Sequence, residues 1–249
     1  MQIKILGNGG AVNDGLPYNS FLIDNFFLVE TPPDIMNSLF REKSDLSELR
    51  VIFISHFHGD HYFGLPFLIL RLFFDSAGEP LNYRIRILGP ADIENKSKEI
   101  CRLALSENHP VNSWIEDNFI FEELETDARI DIDDENYLKV FPMNHFTETY
   151  GFSFYKNDRI VFSYFADTIW SDELISQIKL LPQIIITDLN GEPSDPHKVH
   201  MSEDDLIEKG IPHSQGKIMY YGTHLKKQKE SSHNQIEYVY PGLVISLTE

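Results

Sequence analysis

The chain has 249 residues and a formal net charge of −18, with 21 Lys plus Arg against 39 Asp plus Glu. That length suits one large domain with a self-supporting core. So much negative charge opposes the phosphate neutralisation on which polyanion binding rests. Cys101 is the only cysteine, which excludes an internal disulfide, and no apolar run reaches the roughly 18 residues that a membrane span needs.

Gln2-Ile3-Lys4-Ile5-Leu6 reads as a strand with no signal peptide before it, so a soluble, cytoplasmic protein is expected. Phe21-Leu22-Ile23 and Phe26-Phe27-Leu28-Val29 flank Asp24-Asn25, a hairpin pattern. Pro32 or Pro33 opens a helix to about Arg41. Val51-Ile52-Phe53-Ile54 reads as a buried strand, and it runs straight into Ser55-His56-Phe57-His58-Gly59-Asp60-His61. This places four potential metal ligands at a strand end, where α/β folds site their chemistry. His56 and His58 alternate in a short extended turn and can reach one ion; Asp60 and His61 can reach a second. Imidazole suits zinc, iron or nickel, and the carboxylate adds a hard oxygen. A surface histidine cluster is the bland alternative, and the internal position after a strand argues against it.

From Gly64 to Phe74 the only charge is Arg71. A helix apolar on all sides must bury all sides, either in the core or in a subunit interface near the metal residues. Tyr83 to Leu88 alternates like a strand, and Ala91 to Leu105 has a helical pattern with Cys101 on its core or helix face. Glu122 to Glu135 is acidic and expected as a solvated hairpin edge. Tyr137 to Phe141 is strand-like and leads to His145; Tyr150 to Phe154 is the next strand. Asn157-Asp158 turns into Ile160-Val161-Phe162, which precedes Asp167. Ile184-Ile185-Ile186 reads as a buried strand. Ser202 to Lys209 reads as a helix capped by Ser202, with Asp205 in its first turn. Ile218 to Tyr221 precedes His224, and Lys226-Lys227-Gln228-Lys229 is the one basic cluster, either a phosphate guide or a solvated loop. No repeat, low-complexity segment or linker interrupts the chain, so residues 1–249 are expected to form a single domain.

His56-Phe57-His58-Gly59-Asp60-His61 resembles the His-x-His-x-Asp-His signature of the metallo-β-lactamase superfamily. His145, Asp167 and His224 each end an apolar run, in the order that superfamily uses, so the resemblance covers nearly the whole chain. It implies an α/β fold, an αββα sandwich with metals at one edge of its two sheets. Within the superfamily the chain is most similar to the ribonuclease Z and related phosphodiesterase branch. Ile5-Leu6-Gly7-Asn8-Gly9-Gly10-Ala11, Asn19-Ser20-Phe21, Phe63-Gly64-Leu65-Pro66 and Tyr150-Gly151-Phe152 carry that likeness. So does His200-Met201-Ser202, 24 residues before His224, where the branch has a non-ligand histidine that assists catalysis. Ala166 departs from the branch's usual glycine, and Thr187-Asp188 from its usual His-Glu. Only 22 residues separate His145 from Asp167, so the tRNA-gripping arm of the flexible-arm ribonuclease Z enzymes is absent.

The resemblance implies two divalent metal ions, zinc first and manganese or iron as alternatives. His56, His58 and His145 would hold one; Asp60, His61 and His224 the other; Asp167 would bridge them. Such a pair can hold a hydroxide at neutral pH and stabilise a leaving oxygen. Asp60 would also orient the water, His200 would serve as general acid, and Asp188 would orient His200. His109, His197, His213 and His233 are expected on the surface or in loops. The expected activity is a phosphodiesterase-like hydrolase of a small or short substrate. Alternatives are hydrolysis of carbonyl esters, thioesters or lactones, and tRNA 3′ processing without the arm. A di-iron redox protein fits poorly, because such members tend to carry glutamate where His58 stands and add a flavin domain. A non-catalytic module fits worse, since no ligand is missing. Long nucleic acid is disfavoured by charge, no membrane partner is expected, and a homodimer is expected from the branch's habit of pairing near the metal site.

Overall fold

The computed structural model describes residues 1–192 and 198–248. Its backbone contacts divide the chain into two compact units, each built on a seven-stranded mixed sheet. The first comprises residues 1–7, 17–124 and 241–246. Its elements are β1 (Gln2–Gly7), β2 (Ser20–Ile23), β3 (Phe27–Val29), α1 (Ile35–Arg41), β4 (Val51–Phe53), α2 (Gly59–Tyr62), α3 (Leu65–Asp75), β5 (Ile85–Gly89), α4 (Ile93–Leu105), α5 (Val111–Asn118) and β6 (Phe119–Glu123). The last strand of the chain, β14 (Val244–Ser246), pairs with β1, giving the order β14-β1-β2-β3-β4-β5-β6. Asp24 and Asn25 both take positive φ (44° and 60°) in the three-residue turn that joins β2 to β3. From β3 to β6 the strands are parallel. Val51 to Ile54 are buried at 2% exposure or less, in keeping with an apolar run inside a parallel sheet.

Helices cover this sheet by narrow stripes. In α4 the buried positions are Ile93, Ser97 and Cys101, at helical spacing. Burial pushes the Cys101 thiol up to about 12. In α3 Leu65, Leu68, Ile69 and Leu72 are buried, but Phe67 and Phe74 are 49% and 64% exposed. The helix therefore buries one face only. With Phe63, exposed at the end of α2, these rings fall on one helical face.

The second unit comprises residues 8–16, 125–240 and 247–249, less those outside the described set. Its elements are β7 (Arg129–Asp131), β8 (Asn136–Pro142), β9 (Tyr150–Lys156), β10 (Arg159–Phe165), α6 (Asp172–Ile178), β11 (Ile184–Asp188), α7 (Glu203–Asp205), β12 (Met219–Thr223) and β13 (Ile236–Tyr238). The sheet order is β13-β12-β11-β10-β9-β8-β7, antiparallel through β10 and parallel from there to β13. Asn157 and Asp158, with φ of 49° and 61°, turn β9 into β10, so a plain hairpin fills most of the interval between His145 and Asp167. The acidic stretch 122–135 is not one hairpin: Glu122 and Glu123 close β6, the edge strand of the first sheet, and Arg129–Asp131 forms the edge strand of the second. The helix expected from Ser202 to Lys209 is α-helical only to Asp205, then widens into a π-turn at Leu206–Gly210. No described helix is long and apolar enough to cross a membrane.

Candidate metal centre

In the second unit the donors arrive from neighbouring strand ends. Asp167 lies just past β10, Asp188 ends β11 and His224 follows β12. The parallel register pairs Phe165 with Thr187 and Asp188 with Thr223, which brings the three to one edge of the sheet. His145 sits in the loop joining β8 to β9, closed by Met143 N donating to Thr149 O at 2.8 Å. That loop is tied to the segment after Asp167: Asn144 N donates to Thr168 Oγ1 at 3.2 Å, and Ile169 N donates to Asn144 O at 3.0 Å.

These elements gather three imidazoles around one carboxylate. Asp167 Oδ2 lies 3.4 Å from His224 Nε2, 3.9 Å from His145 Nε2 and 4.0 Å from His200 Nδ1. Two ligands each about 2.0–2.1 Å from one tetrahedral ion stand roughly 3.3 Å apart, so the His224–Asp167 spacing is that of coordination partners. His200 is engaged differently. Its Nδ1 is 2.7 Å from Asp188 Oδ2, a hydrogen bond that uses both atoms. Asp188 is itself held by Thr168 N at 3.3 Å and Asn190 N at 3.0 Å, and its Oδ1 lies 3.7 Å from His224 Nδ1. One donor atom each from Asp167, Asp188, His200 and His224 falls within a 4.8 Å span. Asp188 thus stands within hydrogen-bond reach of His200, although Thr187-Asp188 departs from the usual His-Glu.

The first unit carries a donor group of its own. β4 runs into His56, His58 precedes α2 as its cap, and Asp60 and His61 lie within α2. The rings of His58 and His61 stand 4.5 and 4.2 Å from that of His56. Asp60 Oδ2 is 3.5 Å from His61 Nε2, again a coordination-like spacing. The far nitrogens are braced: His56 Nδ1 meets Ser55 Oγ at 2.9 Å, and His61 Nδ1 is 3.3 Å from Glu30 Oε1. Such bracing of Nδ1 fixes each ring and is the arrangement in which Nε2 could serve as a metal donor. Glu30 also accepts from Ser55 N at 3.2 Å. Glu30 is fully buried with φ of +64°, a conformation that residues other than glycine adopt uncommonly. Sequence reasoning missed Glu30 and Ser55. The signal was an acid placed directly after the apolar run that pairs with the metal-bearing strand. The donors, imidazole and carboxylate without thiolate, fit zinc, iron or manganese.

Among the remaining residues, His109, His213 and His233 are only half-buried, and His197 lies outside the described residues. Lys226 and Lys227 are exposed, while Lys229 Nζ donates to Leu189 O at 3.0 Å.

The solved structures with this architecture carry one fold. The short form of human tRNase Z matches at a TM-score of 0.77 and 18% identity, covering 100% of both chains. The metallo-β-lactamase fold protein YhfI from Bacillus subtilis matches at 0.72 and 16%, covering 98% of both. A diphosphatase of the PhnP family matches at 0.69 and 17%, covering 98% of this chain and 97% of that one. The chain thus has the metallo-β-lactamase fold, the α/β class its sequence implies. More narrowly, the model of the anti-Pycsar protein Apyc1 family matches residues 1–244, and the chain belongs to that family. Ribonuclease Z of Picrophilus torridus is 29% identical over 157 residues, 61% of this chain and 46% of that protein. The match spans about half the length of that relative.

The segment carrying His200 is anchored by Asp205. Its carboxylate accepts from Ser202 Oγ at 2.7 Å and Lys209 Nζ at 2.5 Å, and its amide donates back to Ser202 Oγ at 3.1 Å. Burial alone would raise this acid, but Lys209 and Ser202 hold it down, to about 2. A depressed carboxylate stabilises the fold above its unfolded pKa of about 3.9 and stops doing so as pH falls through the folded value. Asp205→Asn should therefore destabilise metal-free protein by about 1–2 kcal/mol at pH 7. In denaturant titrations the gap to wild type should close between about pH 4 and pH 2; a gap constant across that window would refute the assignment.

Proposed function

We propose that this protein is a dinuclear metal-dependent hydrolase acting on small or short phosphodiesters. The 2.7 Å pairing of His200 with Asp188, beside the Asp167 donor group, carries the reading. A histidine held by a carboxylate next to metal donors is built for proton transfer. The names of the relatives, ribonuclease Z, tRNase Z and a diphosphatase, agree in pointing to bonds at phosphorus.

In this reading His56, His58 and His145 would hold one ion, Asp60, His61 and His224 would hold the other, and Asp167 would serve both. Zinc is favoured, with manganese or iron as alternatives, and the setting is cytoplasmic. The ions supply Lewis acidity at the phosphoryl group and bring water to reactivity at neutral pH. The side chains do the rest. His200 Nδ1–H hydrogen-bonds to Asp188 and keeps its proton, which leaves Nε2 for the substrate. As an imidazolium steadied by Asp188, His200 passes its Nε2 proton to the leaving oxygen. Asp60, besides binding metal, orients the attacking water and takes its proton.

Two observations limit substrate size. The β9–β10 hairpin leaves no place for a gripping arm, and the net charge of −18 repels long polyanions. The curated relative named ribonuclease Z favours a second reading, tRNA 3′ processing without the arm. No observation specifically favours carbonyl esters, thioesters or lactones. The exposed rings of Phe63, Phe67 and Phe74 support a homodimer through α3, since an aromatic face of this kind marks an association surface.

His200→Ala is expected to keep its metals and lose roughly 10²–10⁴-fold in turnover on poor leaving groups, and much less on good ones. Equal losses on both would remove the general-acid role. Small phosphodiesters should have a higher kcat/KM than precursor tRNA at moderate salt; efficient trimming of the tRNA 3′ trailer would instead favour the second reading. Sedimentation should find a dimer that Phe67→Glu with Phe74→Glu splits into monomers, and a wild-type monomer would dispose of the proposed interface.

A further inference from the structure

The turn that follows β1 presses against a proposed metal ligand. Residues 8–16 belong to the second unit. Gly9 forms an isolated parallel bridge with Leu225. Leu225 N donates to Asn8 O at 2.7 Å, Gly10 N donates to Leu225 O at 3.0 Å, and Asp14 N donates to Lys226 O at 2.7 Å. Asn8 is fully buried, and its Nδ2 donates to Val239 O at 2.6 Å and to Gln228 Oε1 at 2.7 Å. The backbone on the C-terminal side of His224 is thereby held at several points.

His224 needs such holding. Its φ is +61°, a conformation that residues with a side chain adopt uncommonly and keep only where surroundings over-determine it. The ring is also hemmed in. A Cβ added to Gly10 would stand 2.8 Å from Cε1, Nδ1 and the carbonyl oxygen of His224. The backbone oxygen cannot move aside, so the ring would have to turn or the turn would have to lift.

We propose that Asn8-Gly9-Gly10 is a clasp that fixes the His224 imidazole in its ligating orientation. Asn8 and Gly10 are positioning residues: they act through His224 and touch no reacting atom. The bare Cα of Gly10 makes room for the ring, and the hydrogen bonds to Leu225 and Val239 keep the strained turn from relaxing. The proposal rests on the reading of His224 as a metal ligand.

The test is a double-mutant cycle read by metal affinity. Metal-free protein is titrated with zinc against a chromophoric chelator, and the thermal midpoint of the metal-free form is recorded alongside. Wild type should take two ions per chain. Gly10→Ala should weaken one of them by roughly 10–100-fold, the usual effect of disturbing a ligand's support, and leave the other unchanged. In the His224→Ala background the ring is gone, so adding Gly10→Ala should cost no further affinity. Asn8→Ala, which adds no bulk, should weaken the same ion to a smaller extent and decides the question in the same two backgrounds if Gly10→Ala does not fold. Unchanged affinity in the single variants, or equal losses with and without His224, would overturn the clasp while leaving the metal reading intact. Wild-type protein that takes fewer than two ions would overturn the metal reading itself, and the clasp with it.

Discussion

Parallel pairing of β10, β11 and β12 fixes where the donors of the second unit stand. Because Phe165 is level with Thr187, and Asp188 with Thr223, the chain leaves each strand at the same edge. The residues at those exits, Asp167, Asp188 and His224, need no long loops to meet. A slip of one residue in either pairing would exchange the side chains packed on the two faces and carry a donor with them. The buried Ile184-Ile185-Ile186 run, at 5% exposure or less, makes such a slip costly, so core packing and donor placement are one constraint.

Three carboxylates, Glu30, Asp167 and Asp188, are buried at 2% exposure or less. Burying a charge without partners is strongly unfavourable. Here Asp188 takes two backbone amides and an imidazole, and Glu30 takes an amide and faces His61. The cost is offset locally rather than by the core. The same partners lock ring orientations, so what makes burial tolerable also prepares the donors for their task.

Much of this was legible in the sequence, for physical reasons. The strands before His145, Asp167 and His224 are rich in apolar and aromatic residues, and a histidine or acid soon after such a strand is conspicuous. Glu30 stood in the same relation to Phe26–Val29 but drew no notice, because no histidine flanked it. Helix α5 is marked only faintly in the sequence: Val111, Trp114 and Ile115 stand at helical spacing, but over only eight residues, and its place depends on Trp114, whose Nε1 donates to Glu79 O at 2.9 Å. The π-turn at Leu206–Gly210 has no sequence mark, since it depends on tertiary contacts around Gly210. Phe67 and Phe74 read from their chemistry as buried, in the core or in a subunit interface, and the packing of α3 leaves both exposed.

The position of Cys101 has a practical side. Thiol reagents attack the thiolate, and this thiol is shielded by α4 and held in its protonated form well above neutral pH. It is also the sole cysteine of the chain. The folded protein is therefore chemically silent toward maleimides, and a cysteine introduced on an exposed turn, such as Asn157-Asp158, would carry the only reactive sulfur. Paired spin labels or fluorophores could then report distances across the molecule without first replacing any native residue.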